Sequence, residues 1–197
     1  MTAQRLASAG AIDGKIPPMS IPWKPVSKPS LIAGGLAGFV FMLYAALKPG
    51  GFLILDYVNL PIHEAGHLIF GIFGATLAVW GGTLLQIIFP IAFLIYFRLR
   101  GDTAGTYFAT LWTGESLVYS SVYIRDARAM QLPLVGGGEH DWNNILSGLG
   151  LLAADGTIAD VVLLTGWAIL ILSWLWFIDR GRKSLAGGSR DSESERI

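Results

Sequence analysis

Five apolar runs punctuate this chain, at 30–47, 52–74, 76–97, 104–124 and 157–178, separated by short polar joints. Crossing a hydrocarbon core takes about twenty mostly apolar residues, so each run reads as a membrane-span candidate. The first and third hold no charged residue. Spans cannot satisfy their polar atoms separately and must pack together, so the pattern predicts an all-α fold: a polytopic transmembrane helix bundle of about five or six spans. The third run is broken by Trp80-Gly81-Gly82-Thr83 and again by Pro90, which makes it the candidate for a re-entrant limb. Gly81 and Gly82 have a second reading, a close helix crossing of the kind small residues allow in membranes.

The flanks differ in character. Residues 1–29 are polar, carry five prolines and lack the apolar stretch of a cleaved signal, so they read as an extended or disordered tail. Residues 30–180 form one membrane-embedded core, and 181–197 read as a polar, flexible C-terminal tail. Lys15, Lys24 and Lys28 precede the first run and Lys48 follows it, a bias that places the N-terminus in the cytoplasm. With the C-terminus also cytoplasmic the number of crossings is even. Five long runs then require either that one be re-entrant or that a sixth crossing lie within 143–154.

Composition sharpens this picture. The chain is 53% hydrophobic and 14% charged, with a mean hydropathy of +0.55, as expected of a multi-pass integral membrane protein whose surroundings are a lipid bilayer. The formal net charge is zero, which implies no nucleic-acid partner. There is no cysteine, so any metal must be held by His, Asp or Glu.

The candidate chemistry is concentrated. Two of the three histidines lie in His63-Glu64-Ala65-Gly66-His67, inside the second run. On a helix this H-E-x-x-H spacing sets two imidazoles one turn apart on one face, where both can bind a zinc ion, with a carboxylate beside them as general base. Ionisable groups at membrane depth are costly, and metal coordination supplies a reason for these. Pro61 starts or kinks the helix that carries them. Asn59, one turn earlier, is read either as a helix cap or as a group that orients His63.

With further spans after it, this apolar H-E-x-x-H helix resembles the site-2 protease family of intramembrane zinc metalloproteases. The resemblance implies that His63 and His67 are Zn2+ ligands, that Glu64 activates a zinc-bound water, and that an aspartate from a later span completes the site. The family's N-P-D-G does not occur here; Ala154-Asp155-Gly156 is a partial match.

Four residues compete as third ligand. His140, the remaining histidine, follows the flexible Gly136-Gly137-Gly138 and is the expected choice, ahead of Asp155. Glu115 is intramembrane, and Asp126 is flanked by Arg125 and Arg128. Asp141 is read as a carboxylate fixing the tautomer of a ligand, or as a helix cap. Glu115, Ser116, Ser120 and Ser121 are candidates to line a water channel, the serines having helix–helix hydrogen bonding as their other reading. The expected function is an intramembrane zinc-dependent endopeptidase that hydrolyses a peptide bond of a membrane protein substrate. The alternatives are a non-proteolytic zinc-binding transporter or regulator and a metallohydrolase of non-peptide substrates. The oligomeric state is not written in the sequence.

Overall fold

The computed structural model describes residues 22–135 and 139–194, and the regular structure among them is helical throughout. The helices are α1 (Lys28–Leu47), α2 (Asp56–Gly71), α3 (Ala75–Leu99), α4 (Thr103–Arg125), α5 (Asp141–Gly148) and α6 (Asp155–Ser194), with a 3-10 turn at Leu152–Ala154 before α6. Local chemistry sets their ends. Ser27 caps α1 by accepting from Ser30 N, with a proline in the first turn, and Asp102 caps α4 by accepting from Gly105 N at 2.9 Å. Both place a side-chain oxygen on an N–H that the helix itself leaves unpaired.

Three of the five apolar runs become helices long and apolar enough to cross a membrane: Lys28–Leu47, Ala75–Leu99 and the stretch Leu152–Gly187. The expectation of five or six spans is corrected accordingly, and α2 and α4 differ from the other runs for separate reasons. α4 is the central helix. Thirteen of its 23 residues are buried, so it meets other helices on most sides and carries polar residues a lipid-facing helix would exclude. Three of its hydroxyls turn back onto their own helix: Thr113 donates to Ala109 O, Ser120 to Ser116 O and Ser121 to Val118 O. Ser120 and Ser121 are buried and do not line the cavity described below.

α2 is shorter than the two helices it packs against, α3 and α4. Its sixteen residues give about 24 Å of helix. It begins with Asp56 and Asn59 beside Glu115, midway along α4, the Asn59 amide donating to Glu115 Oε2 at 2.8 Å. The helix then runs toward the start of α3. Packing there is backbone to backbone, because a Cβ on Gly66 would overlap the Gly81 carbonyl and one on Gly82 would overlap the His63 ring. The close-crossing reading of Gly81 and Gly82 therefore holds. α3 runs through both glycines and through Pro90 as one helix, so it is not the re-entrant limb.

The bundle has two distinct ends. One gathers the start of α1, the end of α3, the start of α4 and the later part of α6, tied by Lys24 N donating to Gly101 O, Thr103 Oγ1 to Lys24 O and Val26 N to Ser184 Oγ. Residues 22–27 are thereby docked on the bundle, while the rest of the expected N-terminal tail, 1–21, lies outside the described residues. α6 continues to Ser194, so a helix occupies most of the expected flexible C-terminal tail. The other end gathers α2, the start of α3, the end of α4, α5 and the start of α6. Its core is Ile124, Ala127, Trp142, Ile145, Leu146 and Ala159, and it holds the candidate site.

Candidate metal centre

The helical spacing of H-E-x-x-H puts His63 and His67 on one face of α2, their rings 4.9 Å apart. The Gly66–Gly81/Gly82 crossing seats that face against α3. α3 then supplies an acceptor for one nitrogen of each ring: His63 Nδ1 lies 3.2 Å from Gln86 Oε1 and His67 Nδ1 lies 2.8 Å from Ala78 O. The Ala78 carbonyl can only accept, so His67 carries its proton on Nδ1. The Gln86 amide donates its NH2 to Ser116 O at 3.3 Å, which turns its oxygen to His63 and assigns that proton to Nδ1 as well.

Both Nε2 atoms therefore face the same carboxylate. Asp141 Oδ2 is 3.0 Å from His63 Nε2 and 3.3 Å from His67 Nε2, and the three ligand atoms all lie within 4.8 Å of one another. With both rings neutral, three electron-pair donors converge there, an arrangement that a cation would relieve. The two distances to Asp141 are close to the roughly 3.3 Å that separates donors about 2.0–2.1 Å from a tetrahedral ion. Two imidazoles and a carboxylate, with room for a fourth group, are a donor set that zinc accepts.

Asp141 is held from two directions. Tyr123 Oη accepts from Asp141 N at 3.1 Å and lies 3.4 Å from Oδ2, to which it can donate. His140, the expected third ligand, does not join the group. Its Nδ1 accepts from Asn143 N at 3.2 Å, capping α5, and its Nε2 faces Asp126 Oδ2 at 3.3 Å. With both ring nitrogens occupied and the ring buried, His140 orients the residue after it instead. Asp126 also accepts from Gln131 N and Leu132 N, so one carboxylate ties down both ends of the segment that delivers Asp141. The Gly136-Gly137-Gly138 hinge lies outside the described residues.

The remaining candidates are engaged elsewhere. Asp155 accepts from Arg128 Nε at 2.8 Å; that hydrogen bond and the carboxylate charge hold the Arg128 guanidinium above its ordinary pKa. Glu115 belongs to a separate buried cluster with Asp56 and Asn59. Asn59 is an interior residue of α2, not a cap, and its hydrogen-bond partners do not include His63. Its amide donates to Glu115 Oε2 and to Asp56 Oδ1, and its oxygen accepts from Trp112 Nε1 at 2.7 Å. The orienting role considered for it belongs to Gln86. A signal for Gln86 was present, since an amide in the middle of an otherwise apolar run needs a partner.

Glu64 points to the same space as the ligands. A cavity of about 730 Å³ is lined by Glu64, His63, His67 and Asp141, with Tyr119 and Tyr123 from α4 and apolar residues of 132–135 opposite. That volume is in the range of small-molecule and peptide side-chain sites. No family model, curated protein or solved structure matches the chain.

Proposed function

We propose that this protein is a membrane-embedded, zinc-dependent endopeptidase acting on a peptide segment of a membrane protein. The observation that carries the reading is the convergence of His63 Nε2, His67 Nε2 and Asp141 Oδ2 beside Glu64, on one wall of a cavity. His63, His67 and Asp141 would hold the ion. Zinc bound there supplies Lewis acidity, activating water and polarising a carbonyl. Glu64 accepts the proton of the attacking water and returns it to the leaving amine. Gln86 and the Ala78 carbonyl keep both imidazoles in the ligating tautomer, and Tyr123 keeps the Asp141 carboxylate aimed.

The membrane placement rests on α1, α3 and the apolar part of α6. We add α4 as a fourth crossing. Its 23 residues give about 34 Å of helix against a hydrocarbon core of about 30 Å, and it is shielded from lipid by its neighbours. α2 is the limb that enters and leaves by the same face. Four crossings put both termini at one face of the membrane, and the wealth of Lys and Arg at that end makes it the cytoplasmic one. The catalytic cavity then sits toward the opposite face, and a helical substrate must unwind before its carbonyl can enter.

The decisive experiment measures zinc content and cleavage of a membrane-inserted peptide for the wild type and Glu64→Gln. The expected result is one zinc per chain in both and cleavage in the wild type alone. Cleavage that survives in the variant sinks the assignment of Glu64. A zinc-loaded wild type that cleaves no peptide but hydrolyses a lipid ester moves the protein to a different substrate class.

A further inference from the structure

At the end of the bundle away from the metal-ligating cluster, two guanidiniums pack on one indole. Arg98, at the end of α3, lies 4.4 Å from the centroid of Trp23, and Arg180 of α6 lies 5.0 Å from it. Trp23 in turn meets Trp176 edge-on at 5.0 Å. These stacking contacts hold two long cationic side chains in place without neutralising them. Neither arginine has a carboxylate partner among the described residues. The acids nearby are engaged, Asp102 with Lys24 at 4.0 Å and Asp179 with Lys183 at 2.7 Å. Lys28, Arg100 and Arg182 lie at the same end and have no carboxylate partner among the described residues.

Alongside these rings a mostly apolar cleft of about 360 Å³ separates α4 from α6, lined by Thr106, Thr110, Ile169, Leu172 and Ser173. Leu172 is largely exposed, so the cleft opens sideways, toward where lipid tails lie in a membrane. Thr106 brings a second observation. Its hydroxyl is buried and has no hydrogen-bond partner, although buried hydroxyls are ordinarily paired.

We propose that this cleft binds an anionic phospholipid, with its phosphate against Arg98 and Arg180, an acyl chain between α4 and α6, and an ester oxygen accepting from Thr106. A free anion would use the arginines and leave the apolar cleft empty. A zwitterionic lipid would fill the cleft but leave the excess positive charge uncompensated. The lipid matches both features. The inference rests on the membrane placement above and not on the metal chemistry.

The test uses the full chain in lipid nanodiscs containing equal amounts of phosphatidylglycerol and phosphatidylcholine with the same acyl chains. Lipid retained on release is read by native mass spectrometry. The wild type should keep phosphatidylglycerol over phosphatidylcholine by roughly tenfold or more, given two cations at the surface, and inorganic phosphate should not displace it. Arg98→Gln with Arg180→Gln should bring the ratio close to one. Leu172→Trp, which fills the cleft and keeps both arginines, should also lower it, with helix content by circular dichroism unchanged in both variants. Equal retention by the wild type, a preference that survives the double substitution, or displacement by inorganic phosphate overturns the proposal. Recovery of the wild-type chain in the soluble fraction would instead remove the membrane placement, and absence of zinc would leave the lipid result standing.

Discussion

α2 carries two polar clusters barely two turns apart, and they are built on opposite principles. At its start, Asp56, Asn59 and Glu115 are fully buried and turned on one another. Asp56 Oδ2 takes Leu53 N at 2.6 Å and the Asn59 side chain is saturated by Asp56, Glu115, Trp112 and Ser116, although Glu115 Oε1 finds no partner. Further along, His63, His67 and Asp141 have their outer atoms satisfied by Gln86, Ala78 and Tyr123 while their inner lone pairs face one another beside a cavity. Donors nearly match acceptors in the first cluster, which locks α2 to α4. In the second, with neutral imidazoles, acceptors converge without donors, the feature on which the proposed cation site rests. The same helix thus carries a structural lock and the proposed site for chemistry, and hydrogen-bond accounting distinguishes them.

The largest effect expected in either cluster is on turnover. Glu64→Gln should lower peptide cleavage by roughly 10²- to 10⁴-fold, the range of general acid–base catalysis, with zinc content and thermal stability retained. A variant that also lost its metal would make Glu64 part of the binding group instead. Next comes Asp141→Ala, which removes a donor from the three-residue group and should leave the purified chain largely free of zinc. His140→Ala should weaken zinc by roughly 10- to 100-fold, as expected of a residue that orients a ligand. If elemental analysis instead found zinc lost completely from the His140 variant and kept in the Asp141 variant, the two residues would have to exchange roles.

Breaking the lock should produce the reverse pattern. Asn59→Leu leaves the Trp112 indole N–H and two buried carboxyls without their amide partner and should cost about 3 kcal/mol of stability. Denaturation in detergent would read that loss, while zinc affinity of the folded fraction stays near the wild-type value. A large fall in affinity with stability intact would join the clusters into one functional unit. The smallest effect in this series belongs to Gln86→Leu. It frees His63 Nδ1 from its acceptor and should weaken zinc about 10-fold, at the low end for such partners, with about 1 kcal/mol of lost stability. Wild-type affinity in that variant would show that the Gly82 contact alone orients His63.

Much of this was legible in the residues. The apolar runs marked all the long helices, and H-E-x-x-H marked the face of α2 that matters, because both signals depend on neighbours a few residues apart. Pairings across helices were less legible. Asp141 and His140 are adjacent, and nothing in their identities says which will reach α2. The outcome follows from Asp126 accepting the His140 ring and from His140 capping α5, contacts that form only when the 126–140 segment folds back. Likewise Asn59 and Gln86 both had the chemistry to orient His63, and the choice depends on which helix faces which side of the ring.

The sequence alone determined that the chain is helical and strongly apolar, and that a pair of imidazoles with a glutamate shares one helix face. Helix period and hydrophobicity are local properties, carried by each stretch wherever it packs. Tertiary structure decided the third member of the candidate site, the helix that orients its imidazoles, the course of α2 from the middle of α4 toward the start of α3, and the two ends of the bundle. Those depend on which surfaces meet, and backbone contact at Gly66, Gly81 and Gly82 brings distant residues within a few ångströms in a way that no single stretch encodes.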